Sequence, residues 1–151
     1  MTSTQVSRHF DAPRSRVYAA LIDPAAIATW KVPSGMTSEV HEFSHDFFRI
    51  SLTYTAPDRA GKTSAHTDTY RGRFERLVPD EVVVEVDEFE SNDPALAGEM
   101  TITVTLTDAD GGTDLVAVHE DLPPGVAPAD NETGWRESLD RLASLVEIAQ
   151  A

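Results

Sequence analysis

The chain has 151 residues, 40% hydrophobic and 25% charged, long enough for one domain with a real core. Its 26 acidic against 12 basic side chains give a formal charge of −14, a balance that repels phosphate backbones and anionic membrane surfaces. Cysteine is absent, which excludes a disulfide framework, a thiolate zinc site and a cysteine nucleophile.

Residues 4–10 alternate and read as an opening strand. Asp11 or Ala12 caps a helix with Pro13 at its first position and Val17, Tyr18, Leu21 and Ile22 on its apolar side. Asp23-Pro24 repeats the start signal, so a second short helix runs to about Trp30 and the pair forms an elbow. Met36 to Phe43 reads as a strand, with a turn near Ser44, His45 and Asp46. Phe48, Ile50, Leu52 and Tyr54 then alternate with polar residues, the clearest half-buried strand in the chain. Ala56 to Lys62 carries Pro57 and Gly61 and reads as a loop.

From Ser64 the even positions His66, Asp68, Tyr70, Gly72 and Phe74 form one strand face, taken as inward because it holds the aromatics. Pro79-Asp80 turns the chain into a strand from Val82 to Phe89, and Ser91 to Gly98 is a loop or partial turn. Met100, Ile102, Val104 and Leu106 alternate with threonines, and Asp110-Gly111-Gly112 signals a hairpin into a last strand, Thr113 to Glu120. Both Leu115/Ala117 and Val116/Val118 are apolar, so the inward side of this strand stays open. A helix starts near Pro128. Trp135, Leu139, Leu142, Val146 and Ala149 recur every three or four positions and give it one apolar stripe. Gly134 inside it costs about 1 kcal/mol against alanine and is tolerated if the sheet backbone comes close there. The fold class is therefore α+β, a curved antiparallel sheet of about seven strands wrapped around a long C-terminal helix, within a single domain spanning residues 1–151. No apolar run approaches the roughly 18 residues of a membrane span, and Met1 to Gln5 is polar. The expected location is cytoplasmic.

Four stretches stand in this order: "DAPRSRVYAALIDPAAIATW" (11–30), "GRFERLVPDEVVVEV" (72–86), "GGTDLVAVHEDLPPG" (111–125) and "GWRESLDRLASLVE" (134–147). Together they resemble the START-like, or SRPBCC, superfamily with its helix-grip fold. Within it the chain is similar to the branch named after the activator of heat-shock-protein-90 ATPase homologue. Many relatives carry a glycine pair between the second and third strands, where this chain reads Ser44 to Phe48. The resemblance implies a cavity for a small apolar molecule. It does not imply a reaction, because fold does not fix function.

His41-Glu42-Phe43-Ser44-His45 matches the zinc-protease pattern H-E-x-x-H, whose chemistry needs a helix to bring both imidazoles to one face. On a strand, residues four apart lie about 13 Å apart, so no metal is expected here. His66 and Asp68 share a strand face and are the candidate acid–base pair; the competing reading is a polar pair that satisfies its own hydrogen bonds. Tyr54 and Tyr70 offer phenols on the inner face, to orient a ligand or to serve the core. His119 ends the last strand, where a pocket role competes with a tie to the next loop. Trp30 and Trp135 cover the cavity ends or anchor the core. The expected ligand-binding set is Leu52, Tyr54, His66, Tyr70, Phe74, Val84, Ile102, Val104, His119, Trp135, Leu139 and Leu142. No cofactor is expected, and phosphate-loop and serine-nucleophile motifs are absent.

The first functional reading is a binding domain for a small apolar molecule, as a monomer or homodimer. The second is a cyclase, dehydratase or hydrolase acting on a polyketide-like or aromatic substrate. The third is an interaction module for a chaperone or a transcriptional partner.

Overall fold

The computed structural model describes residues 2–55 and 66–147, so the expected loop Ala56 to Lys62, the positions Ser64 and Ala65, and the stripe position Ala149 lie outside the described residues. The elements are β1 (Thr4–Phe10), α1 (Arg14–Ile22), α2 (Pro24–Trp30), β2 (Met36–Phe43), β3 (Phe48–Tyr54), β4 (Thr67–Val78), β5 (Val82–Phe89), β6 (Met100–Ala109), β7 (Gly112–Glu120) and α3 (Pro128–Glu147). A single 3₁₀ turn, Pro94–Leu96, follows β5, with the Asp93 carboxylate accepting from the Ala95 N–H. Among the described residues seven strands form one antiparallel sheet in the order β1-β7-β6-β5-β4-β3-β2. The sheet curls into a half-barrel, and α3 lies in its concave side. This is the expected helix-grip architecture.

Local chemistry explains the elements. Pro24 starts α2 and the Asp23 carboxylate accepts from the Ala26 N–H at 2.9 Å, which makes the elbow. The indole N–H of Trp30 donates to the Ala20 carbonyl at 2.9 Å and fixes α2 against α1. Helix α1 begins at Arg14, one residue later than expected. Extended Pro13 precedes it and no side chain caps it, so neither Asp11 nor Ala12 does the capping. In the β6–β7 hairpin Asp110 and Gly111 both have positive φ, 48° and 78°, which is the two-residue turn that matches strand twist.

The core lies between the concave face and the helices. Phe10, Val17, Leu21, Ile27, Trp30, Phe48, Ile50, Leu115, Leu139 and Leu142 are all but sealed from water. Leu115 and Ala117 point inward with His119, which settles the side that the β7 sequence left open. Strand β5 differs from expectation. Val83, Glu85 and Asp87 face inward, while Val84 pairs with Thr103 and Arg76 on the opposite face. Three consecutive valines carry no alternation, so the sequence pattern had no side to choose. A bulge between Phe74 and Arg76 shifts the parity of β4, so Phe74 and, beyond it, Leu77 both reach the core.

Gly72 faces inward between Phe48 and Asp87, its cross-strand partners. A methyl group there would stand 2.2 Å from the Asp87 carboxylate and 2.5 Å from the Phe48 ring. Glycine at this point is what lets both side chains lie over the backbone. The neighbour of Gly134 is the Pro33 ring, not the sheet backbone. A methyl group would sit 3.5 Å from it, an ordinary contact. Gly134→Ala should therefore stabilise the protein by about 0.5–1 kcal/mol through helix propensity, read as a raised urea midpoint at unchanged slope. A lowered midpoint would mean that the Pro33 segment cannot yield.

Candidate functional site

A cavity of about 460 Å³ opens between α3, the segment after α2 and the concave face. Its apolar lining comes from Met36, Leu52, Phe89, Met100, Ile102, Val126 and Trp135. A smaller cluster of Leu96, Met100, Leu122 and Val126, joined by Phe89, shares Met100, Val126 and Phe89 with this lining. Trp135 meets Trp30 edge-on at 6.0 Å and His119 edge-on at 4.6 Å. Trp135 thus stands at the cavity wall, with Trp30 behind it in the core.

The polar wall centres on Lys31, the residue after α2. Its ammonium forms an ion pair with the Glu85 carboxylate, both nearly buried at 11% and 8% side-chain exposure. The rings of Phe48, Tyr70 and Trp135 surround it, each within 5.9 Å of the ammonium nitrogen. Glu85 and Asp87 are two apart on β5 and share its inward face, close enough that each alters the other's proton affinity. The sequence reading passed over Lys31, Glu85 and Asp87. The available signal was two carboxylates at i and i+2 in a strand of valines. An extended strand puts both on one side, and Val83 and Ile102 mark that side as inward.

Each group's proton affinity follows from this setting. Burial alone would release the Lys31 proton, but the Glu85 charge leads a set of neighbours that outweigh it and hold the pKa above the lysine range. Burial would raise the Glu85 carboxyl; the Lys31 charge leads the neighbours that bring it below the carboxylate range. Asp87 goes the other way. Burial and the Glu85 charge push it well above the usual range, so of the two carboxyls Asp87 is the one that holds a proton more readily. Burial raises the Tyr70 phenol. Burial also drives the His119 imidazole down to about 4, with Glu85 opposing and Lys31 helping. Both His119 ring nitrogens and Oδ1 of Asp87 are buried without a hydrogen-bond partner among the described residues. Such orphaned groups each need a reason.

The expected site residues separate into three sets. Leu52, Tyr54, Asp68, Tyr70, Ile102, His119 and Trp135 line the cavity. Phe74, Val104, Leu139 and Leu142 pack in the core instead, Phe74 among the rings of Phe43, Phe48 and His45. Val84 and His66 lie off the cavity. Val84 is on the other sheet face, and His66 precedes β4, exposed, with its carbonyl accepting from the Tyr54 N–H at 2.8 Å. Of the expected acid–base pair, Asp68 lines the cavity, whereas His66, at the exposed position before β4, does not.

In the H-E-x-x-H segment, His41 sits at a bulge in β2. Its Nε2 is 2.8 Å from the Ser51 hydroxyl and its Nδ1 3.1 Å from Glu39. His45 packs edge-on against Phe74. Among the described residues no three His, Asp or Glu side chains gather closely enough to hold a metal ion. No described helix is long and apolar enough to cross a membrane.

The family model for Activator of Hsp90 ATPase homolog 1-like proteins matches residues 11–147. The chain belongs to this family. A crystal structure from Chromobacterium violaceum is 33% identical, covers 96% of both chains and superposes with a TM-score of 0.84. The Aha1 dimer from Colwellia psychrerythraea, solved in solution, is 16% identical over the full length of both chains, with a TM-score of 0.69. DynU16, from the dynemicin biosynthetic locus, is 20% identical with a TM-score of 0.65 over 96% of this chain and 47% of its own. The last two share the fold. No curated protein matches the chain. The expected superfamily and branch are therefore shown, and this fold commonly holds hydrophobic ligands.

Two outcomes test the buried cluster. Lys31→Met leaves Glu85 buried without its cation and should destabilise the protein by about 3–5 kcal/mol in urea unfolding. Lys31→Met with Glu85→Gln should recover much of that loss, and no recovery would show that Lys31 acts through packing alone. The second outcome concerns pH. Folded His119 titrates at about 4, against 6.5 for a free imidazole. The unfolded chain thus binds the extra proton between these values. Its contribution to stability is full above pH 6.5 and shrinks as pH falls toward 4, by an amount on the order of 3 kcal/mol. His119→Phe should flatten this part of the stability–pH curve, and an unaltered curve would place the proton elsewhere.

Proposed function

We propose that the protein binds a small, largely apolar molecule in the cavity between the sheet and α3. One observation carries this reading: a hollow of about 460 Å³, part apolar and part polar, whose lining includes His119 and Asp87, two residues with buried polar atoms that lack a hydrogen-bond partner among the described residues. A solid core would fill that space, because interiors pack to crystal density. Orphaned buried polar atoms are costly in an empty protein and useful in one that orients a guest. The apolar body of such a guest would yield about 25 cal/mol for each Å² it removes from water. Tyr70 and His119 would set its orientation, and Trp135 would close over it.

An enzymatic role is the second reading, and it rests on Asp87 and His119 rather than on His66 and Asp68. Burial and the Glu85 charge raise the Asp87 carboxyl while burial lowers the His119 imidazole, so their environments push two cavity groups in opposite directions. An acid and a base on one wall suit proton transfer on a carbonyl compound, the chemistry of a cyclase or dehydratase. His119→Gln separates the two readings. Loss of turnover with retained ligand affinity supports the enzyme, and a change in affinity alone supports the binder.

The binding reading is tested by native mass spectrometry of protein purified gently from its own host. A species heavier than the chain by one small molecule is expected. Leu52→Trp, which pushes an indole into the hollow, should remove that extra mass while circular dichroism stays unchanged. Extra mass that survives in Leu52→Trp would place the guest elsewhere, and bare protein alone in both would count against a guest.

A further inference from the structure

The ionisable lining of the cavity is lopsided. Among the described residues it carries the carboxylates of Asp130 and Glu137 at the α3 side, besides the buried carboxyl of Asp87, and Lys31 is its sole ammonium or guanidinium. Lys31 is already committed to Glu85 and enclosed by three rings. An entering anion would have to divide that pair and leave Glu85 buried without compensation. The start of α3 also borders the cavity, and a helix start attracts negative charge, but Asp130 in its first turn occupies that role. A cationic head would likewise give up its water at the base of the cavity, where the one buried ion pair is already closed and offers it no free counter-charge.

An uncharged head meets none of these costs. His119 lines the wall at 1% exposure, and neither of its nitrogens has a partner among the described residues. A neutral imidazole has one donor and one acceptor. A hydroxyl or an amide offers both in return. The rings of Tyr54, Tyr70, Phe89 and Trp135 on the same lining suit a flat body.

We propose that the cavity takes an uncharged ring compound bearing a hydroxyl or amide group, and turns away the corresponding carboxylate or phosphate. This rests on the binding reading above and adds the class of head group. Fatty acids, acyl phosphates and other anionic amphiphiles are thereby excluded as the guest.

The test is calorimetric titration of the full chain at neutral pH and physiological salt with three probes on one skeleton: 2-naphthol, 2-naphthoate and 2-naphthylmethylammonium. The naphthol should bind at least about tenfold more tightly than the naphthoate, the factor that 1.4 kcal/mol of charge discrimination gives. Asp130→Asn combined with Glu137→Gln should narrow the gap by strengthening the naphthoate. The Glu137 carboxylate accepts from the Ser34 N–H at 3.1 Å, and the amide oxygen that Glu137→Gln leaves in its place can accept the same bond, so the fold is preserved. Naphthoate binding as tightly as naphthol, or ammonium binding more tightly than either, would overturn the charge selection and leave the binding reading standing. Binding of none of the three would remove the cavity as a ligand site, and the earlier reading with it.

Discussion

An ammonium from the end of α2 meets two carboxylates from the middle of β5 in the concave side of the sheet, and much of the molecule is arranged around that meeting. A lysine in such a place would normally discharge, and a pair of neighbouring acids would normally turn to solvent. Here each makes the other tolerable. Lys31 favours the charged form of Glu85, the Glu85 charge raises the neighbouring Asp87 carboxyl, and three aromatic rings surround the ammonium. The ion pair also joins the helical elbow to the sheet. Trp30, one residue before Lys31, is fixed to α1, so the charge arrives on a rigid arm.

Buried ion pairs seldom stabilise more than well-packed apolar residues of the same size. Their presence beside a hollow has a better explanation in what they do to the hollow. The pair uses up the positive charge of the cavity wall and leaves a field that disfavours anions. Its two charges act on His119 in opposite senses, Glu85 favouring the imidazolium and Lys31 opposing it, so burial decides and the imidazole stays neutral across the physiological range. The wall that results is polar and nearly charge-balanced at its base, with carboxylates at Asp130 and Glu137 on α3. Gly72 belongs to the same construction, because only a residue without a side chain lets Asp87 and Phe48 lie over β4.

The scaffold around the cluster explains why there is a hollow. The long helix α3 buries Leu139, Leu142, Ala143 and Val146 against the core, whereas Trp135, a turn earlier, is only half-buried. The two ends of the helix thus serve different purposes. One half seals the core. The other puts only one large apolar ring, Trp135, on the cavity side beside Asp130, Asn131, Gly134, Glu137 and Ser138, and leaves the space beneath it unfilled.

Alternation and helical periodicity in the sequence were enough to determine the architecture. The threonine-alternating β6, the strand Phe48 to Tyr54, the Asp-Pro elbow and the stripe of α3 each state their own burial, because a single periodic pattern decides which side meets water. Cavity-lining positions on β3, β4 and β6 followed from the same rule, as Tyr54, Tyr70 and Ile102 illustrate. Two kinds of fact were beyond it. The side of β5 that faces inward could not be read from Val82-Val83-Val84, and the carboxylates that follow look solvent-facing until Lys31, 54 residues before Glu85, is placed opposite them. The end of the cavity along β4 was likewise a tertiary matter: Asp68 joins the wall, while His66, exposed just before β4, does not. Charge partners far apart in the chain are brought together only by folding, and it is their electrostatics, not any local pattern, that decided the chemistry of the cavity.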